Sequence, residues 1–169
     1  MSGTVTVVGL GPGSEELIVP AVISALNQAT DIIGYFRYIE RLQNLQNQTL
    51  HASDNRQEIE RAELALSLAS EGKNVVVVSS GDPGVFAMAS AVFEALEKNT
   101  GYKKNTKIII LPGITAILAA SARLGAPIGH DFCVINLSDN LKSRNIVENR
   151  VTAAAQGDFV IAFYNPRSK

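Results

Sequence analysis

Short apolar runs alternate along this chain with segments whose apolar positions recur every three to four residues, and that alternation predicts an α/β fold with a mostly parallel sheet flanked by helices. The runs at residues 4–10, 31–34, 49–52, 74–79 and 107–111 read as strands. In the clearest of them, Val75-Val76-Val77-Val78 leaves no polar face, as expected of a strand covered on both sides. Helical segments fill the gaps. Pro20 suits the first turn of a helix reaching Gln28. A further helix is expected from Asn55, whose side chain can cap it with Glu58 three residues on, an arrangement contributing about 1 kcal/mol. Its apolar positions Ile59, Ala62, Leu66 and Ala69 share one face, and Gly72 ends it. A helix of small residues through Ala116, Ala119, Ala120 and Ala122 follows later and can pack closely on a sheet.

Gly125-Ala126-Pro127-Ile128-Gly129 has the composition of a linker, so a domain over residues 1–128 is expected to give way to a second α/β domain that begins over residues 129–169. There, residues 132–137 and 159–163 read as strands and residues 143–155 as a helix. Two strands and one helix cannot cover both faces of a parallel sheet or close its edges, so this second domain is expected to be a fragment of a larger one. The polar stretch Gln43-Asn44-Leu45-Gln46-Asn47-Gln48 reads as a surface loop.

Composition narrows the partners. A chain of 169 residues, 46% of them hydrophobic, can build one full core and part of another. The net charge of −1, with scattered lysines and arginines, gives no electrostatic footprint for nucleic acid or an acidic membrane surface. The single cysteine, Cys133, rules out a disulfide framework or cysteine-based zinc site within one chain, and two widely separated histidines offer no metal site. With no apolar run of membrane-spanning length and no leader ahead of the first strand, a cytoplasmic location is expected.

Three glycine-bearing turns follow strands, and a parallel sheet would gather them at its carboxyl rim, where such sheets bind ligands. Gly9-Leu10-Gly11-Pro12-Gly13-Ser14 is not a dinucleotide fingerprint: Ser14 stands where a third glycine is needed, Asp31 opens the second strand rather than closing it, and Pro12 removes a backbone donor. No Gly-Lys-Ser or Gly-Lys-Thr phosphate loop occurs. In Gly81-Asp82-Pro83-Gly84 the glycines let backbone approach a ligand, Pro83 stiffens the turn and Asp82 supplies acceptor oxygens. An ordinary strand-to-helix turn with Asp82 as helix cap fits the same residues. The third turn is Pro112-Gly113-Ile114-Thr115-Ala116. Together the three make a backbone-rich, weakly charged pocket, better suited to a small zwitterionic or neutral ligand than to a triphosphate.

In this order, Val8-Gly9-Leu10-Gly11-Pro12-Gly13, Ser80-Gly81-Asp82-Pro83 and Pro112-Gly113-Ile114-Thr115-Ala116 resemble the tetrapyrrole methylase family, the class III methyltransferases that use S-adenosylmethionine. Residues 53–58, 79–88 and 129–141 look like its branch that methylates C17 of a precorrin, with ring contraction, in cobalamin biosynthesis. The resemblance implies a homodimer of two-domain subunits, with the cofactor, released as S-adenosylhomocysteine, in a cleft between domains and the macrocycle in a trough above it. By motif position it puts cofactor contacts on Pro12, Ser80, Gly81, Asp82, Val85, Thr115 and Ala116, and a second-domain contact at Asn165. Gly9, Gly11 and Gly13 fall beside the substrate. Ser80 stands where many relatives carry glycine, and Asn165 where uroporphyrinogen methylases carry methionine.

Methyl transfer from a sulfonium is an in-line displacement in which positioning does most of the work. Ring contraction also moves a proton, for which His51, Asp54, His130 and Asp131 are the catalytic candidates, each read more readily as a loop, cap or strand-entry residue. Arg56 could pair with an acetate or propionate of the substrate or simply lie on its helix surface. A metal-free or a cobalt-containing macrocycle suits the same residues. A binding module without catalysis stays open as well, because no acid–base constellation stands out.

Overall fold

The computed structural model describes residues 3–43, 45–99, 101–102, 106–138 and 142–166. Asn44 of the polar loop and Asp139, Asn140 and Leu141 of the segment that begins at Gly129 lie outside the described residues. Two compact units divide at Ala116 and Ile117.

The first unit contains strands β1 (Gly3–Gly9), β2 (Asp31–Tyr35), β3 (Thr49–Ser53), β4 (Asn74–Ser79) and β5 (Thr106–Leu111), all parallel, in the order β3-β2-β4-β1-β5. Helices α1 (Pro20–Gln28), α2 (Phe36–Ile39), α3 (Glu58–Ser70) and α4 (Met88–Lys98) complete it. The valine run behaves as its composition requires. Val75 and Val77, with Val5, Val7 and Ile33, face α3 and α4; Val76 and Val78, with Val8 and Ile32, face Val22 and Leu26 of α1. Alternate side chains of one strand thus feed two cores, which is why no polar position interrupts it. The small residues of α3 bring it close to the sheet: a β-carbon added to Gly3 would lie 2.2 Å from the carbonyl oxygen of Ala69.

The start of α3 departs from the capping expectation. The helix begins at Glu58 after Gln57, not at Asn55. Arg56 adopts a positive φ of 66°, which no helix continues. The preceding residues close a turn of their own, with Gln57 Oε1 accepting from the Asp54 N–H at 3.0 Å and Asp54 Oδ1 accepting from the Asn55 N–H at 2.7 Å. The four-residue α2 was not legible as a helix because it is too short to show a period.

The second unit holds α5 (Ala116–Arg123) from Ile117 onward, β6 (Phe132–Asn136), α6 (Arg144–Gln156) and β7 (Val160–Tyr164), the last two strands forming a parallel pair. The division by contacts falls ahead of α5, whereas composition puts the boundary after it. The Ile117 N–H donates to the Tyr164 hydroxyl at 2.8 Å, which ties α5 to β7. No helix among the described residues is long and apolar enough to cross a membrane.

Candidate functional site

In this sheet β4, β1 and β5 are neighbours, and their registers end together, with Gly9 opposite Ser79 and Val8 opposite Leu111. The three glycine turns therefore leave adjacent strands at one level. The β4-to-β5 connection crosses over β1, so the chain reverses its direction of travel at this point, the position at which open parallel sheets form a ligand crevice.

The turns are stitched together by backbone. Gly11 and Gly81 exchange two hydrogen bonds, the Gly81 N–H to the Gly11 carbonyl at 2.9 Å and the Gly11 N–H to the Gly81 carbonyl at 3.2 Å. A β-carbon at Gly9 would stand 2.3 Å from the Gly81 carbonyl oxygen, and one at Gly113 would stand 2.2 Å from the same atom. That oxygen is the hub where the three turns meet, and any side chain at residues 9 or 113 would displace it. Gly81 is glycine for a different reason. Its φ is +61°, while an added β-carbon would be no nearer than 3.6 Å to any neighbouring atom, so conformation and not space demands it.

Asp82 joins the same assembly. Its Oδ1 accepts from the Gly84 N–H at 2.8 Å and its Oδ2 from the Gly113 N–H at 3.0 Å. The carboxylate closes its own turn and clamps the third turn to the second, so it does more than cap a helix; α4 begins only at Met88. Around it Pro83 is buried, Ser80, Gly81 and Val85 are half-buried, and Pro12 and Thr115 are half-buried on the flanking turns. The Ala116 N–H lies 3.9 Å from the position of an added Gly81 β-carbon, so the cofactor positions read from all three turns converge on one small area. Gly13 is exposed, with no atom within 4 Å of an added β-carbon.

The remaining candidates separate. Asp54 and Arg56 sit on the turn after β3, at the same carboxyl edge of the sheet, and both are exposed. Arg61 of α3 secures that turn, its Nη1 donating to Ser53 Oγ at 3.2 Å and to the Asp54 carbonyl at 3.0 Å. His51, midway along β3 opposite Ile33, reaches with its side chain toward the opposite end. Its Nε2 lies 2.7 Å from Oδ1 of buried Asp31, which opens β2, and Lys73 Nζ lies 3.6 Å from the same oxygen. Burial alone would raise the Asp31 pKa, but hydrogen bonds from His51 and Thr30 and the charge of Lys73 outweigh it and hold the carboxyl below its usual range. In the second unit, His130 and Asp131 are exposed ahead of β6. Asn165 follows β7 with a φ of +51° and donates from Nδ2 to Asn136 Oδ1 at 3.2 Å. No cluster of three or more metal-ligating side chains occurs among the described residues.

Sequence reasoning missed the roles of Gly9 and Gly113 as mutual contacts and of Asp82 as a clamp. It also missed Arg41, whose guanidinium fastens the first turn. All four depend on partners distant in sequence.

The chain is similar to several known proteins. The chain is 51% identical over 169 residues to a protein named precorrin-3B C(17)-methyltransferase from Sinorhizobium sp, covering 100% of the chain and 66% of that protein. It is 45% identical over 171 residues to a cobalt-factor III methyltransferase from Priestia megaterium, covering 99% of the chain and 32% of that protein. The chain thus spans 66% and 32% of the lengths of these relatives. A solved structure titled as the methyltransferase CobJ superposes with a TM-score of 0.96 at 62% identity, covering 99% of this chain and 70% of that one. The family model described as Tetrapyrrole (Corrin/Porphyrin) Methylases matches residues 4–169, a span that takes in all three stitched turns, and the chain belongs to that family.

Proposed function

We propose that this chain is part of an S-adenosylmethionine-dependent methyltransferase that methylates C17 of a precorrin-type macrocycle with ring contraction, in cobalamin biosynthesis. The single observation that carries the reading is the meeting of three turns on the Gly81 carbonyl, which leaves a rim of backbone groups over adjacent strand ends. The fit to the cofactor rests on that rim. The groups about Gly81 are backbone, with Thr115 Cα, the Ala116 nitrogen and the Ile114 carbonyl oxygen 3.6, 3.9 and 3.9 Å from an added β-carbon, and the Asp82 carboxylate has lone pairs beyond the two hydrogen bonds it accepts. Ser80, Gly81, Asp82, Val85, Thr115 and Ala116 would hold it, with Pro12 alongside. When bound, that cofactor supplies an activated methyl group on a sulfonium.

The chain's own residues have a positioning task. Aligning the methyl with an accepting carbon can lower a barrier by on the order of 7 to 11 kcal/mol without a side chain that reacts. A rim held by backbone hydrogen bonds and the Asp82 clamp is rigid enough for this. Asp54, at the same sheet edge, is the favoured candidate in the first unit for moving the proton that contraction requires. His51 is committed to Asp31 at the far end and is a weaker candidate. The protein is read as a homodimer working in the cytoplasm.

The relative named for cobalt-factor III supports a second reading of the same class, with a cobalt-containing macrocycle as substrate. Incubating the protein with cofactor and each macrocycle, then measuring a gain of one methyl by mass spectrometry, separates the two. Affinity for S-adenosylhomocysteine by calorimetry with no turnover on either macrocycle would leave only a binding module.

A further inference from the structure

The first turn is fastened by a cation that none of the three motifs contains. Arg41 lies just beyond α2, where its own N–H donates to the Tyr38 carbonyl at 3.3 Å and fixes the base of the side chain. Its Nη2 donates to the Gly13 carbonyl at 3.1 Å and to the Leu10 carbonyl at 3.4 Å. The half-buried guanidinium opens on a cavity of about 150 Å³ that it lines together with Leu10, Gly13, Glu15, Ile18, Leu42 and Gln43.

A guanidinium presents five N–H donors, and Nη2 uses its share on two neutral carbonyls. Among the described residues, Nε and Nη1 have no acceptor of their own. Among the described residues no carboxylate lies within ion-pair distance of Arg41; Glu15 shares the cavity without pairing with it. A guanidinium N–H that faces a small cavity suits a carboxylate on a short arm, because the hydrogen bond it donates is assisted by the full charge of both partners. The cavity is too small for a macrocycle but can admit such an arm. Exposed Glu15 opposes an incoming anion only weakly, since solvent screens it.

We infer that Arg41 binds a carboxylate arm of the macrocycle lying over the first glycine turn, and this rests on the tetrapyrrole reading above. Precorrin rings carry acetate and propionate arms at their rim, so a site of this chemistry sets the register of the ring over the cofactor. Arg56, exposed on the turn after β3, lacks both the cavity and the hold on the glycine turn.

The test compares wild type, Arg41→Gln and Arg41→Lys in methyl transfer, in calorimetry with S-adenosylhomocysteine, and with a macrocycle whose carboxyl groups are methyl-esterified. Arg41→Gln should raise KM for the acid macrocycle about ten- to a hundredfold, with kcat and S-adenosylhomocysteine affinity within about twofold of wild type. Arg41→Lys should recover only part of the loss, since it keeps the charge but cannot hold the Leu10 and Gly13 carbonyls and a carboxylate in the plane of one group. On the esterified macrocycle, wild type and Arg41→Gln should bind alike. An unchanged KM in Arg41→Gln would overturn the inference while leaving the tetrapyrrole reading intact. So would a difference that persists on the ester, or a loss of S-adenosylhomocysteine affinity as large as the loss in KM, which marks a purely structural fastening. If Arg41→Gln does not fold, Arg41→Lys carries the same comparison. Wild type that transfers no methyl to any macrocycle would fail the reading itself, and the inference with it.

Discussion

The two ends of the first sheet are built from different materials. At the carboxyl end, backbone meets backbone: Gly9, Gly81 and Gly113 crowd one carbonyl oxygen, and the only carboxylate in the assembly, Asp82, spends its oxygens on main-chain N–H groups. At the amino end, charged side chains close the structure, with buried Asp31 gathering His51, Thr30 and Lys73. The carboxyl end is held largely by main-chain hydrogen bonds, with Asp82 and Arg41 bonding to main-chain groups of the turns. The amino end is held by ion pairs, so its strength depends on pH.

Several substitutions sharpen this contrast. The largest effect is expected from Gly9→Ala or Gly113→Ala, which drive a β-carbon into the Gly81 carbonyl and should destabilise the chain by about 3 kcal/mol or more in urea unfolding. A loss below about 1 kcal/mol would mean that the turns can part without cost and are no rigid unit.

Asp31→Asn should cost about 2 kcal/mol at neutral pH, a value moderated by the partial exposure of His51 and Lys73. The sign with pH is fixed. Because the folded Asp31 pKa is lowered, its contribution is complete above its ordinary value of 3.8 and is lost as pH falls through the lower folded value. The deficit of the variant should therefore shrink below pH 3.8, and equal deficits at pH 7 and below that point would contradict the pairing.

Asp82→Ala removes two hydrogen bonds and should cost about 1 to 2 kcal/mol of stability, with a loss of S-adenosylhomocysteine affinity measurable by calorimetry. Unchanged affinity would confine Asp82 to the clamp. The smallest effect belongs to Gly81→Ala, about 1 kcal/mol, because only its positive φ resists a side chain. Gly81→Asn should lose less than Gly81→Ala, since asparagine tolerates that conformation. If instead Gly81→Ala proved as damaging as Gly9→Ala, space and not backbone angle would be the constraint.

What was legible follows from where the information lies. Strands with two apolar faces announce themselves in any four consecutive residues, and β4 runs over the residues its valines predict. The helix at Pro20 was equally local. The helix after β3 was misplaced because Asn55 makes a credible cap in isolation, and only the positive φ of Arg56 with the Asp54–Gln57 hydrogen bond redirects the chain. The three turns were recognisable individually and as an ordered set. That Gly9 and Gly113 share one oxygen, or that Asp82 reaches an N–H 31 residues away, depends on strand order, which local periodicity does not encode. Arg41 was invisible for the same reason, its acceptors lying 31 and 28 residues upstream.

Strand order also sets a timetable. The first strand of this sheet in chain order sits inside it, between the fourth and the fifth, so neither of its edges meets a partner until residues 74–79 have been made. The second and third strands, already neighbours, can pair earlier, yet they too wait for the fourth to join them to the first. Such long-range pairing slows folding and leaves apolar strand edges uncovered in the nascent chain. Release of a chain interrupted before Asn74 would leave residues 3–9 without either sheet neighbour, and therefore dependent on whatever chaperone surface can hold an unpaired valine-rich strand.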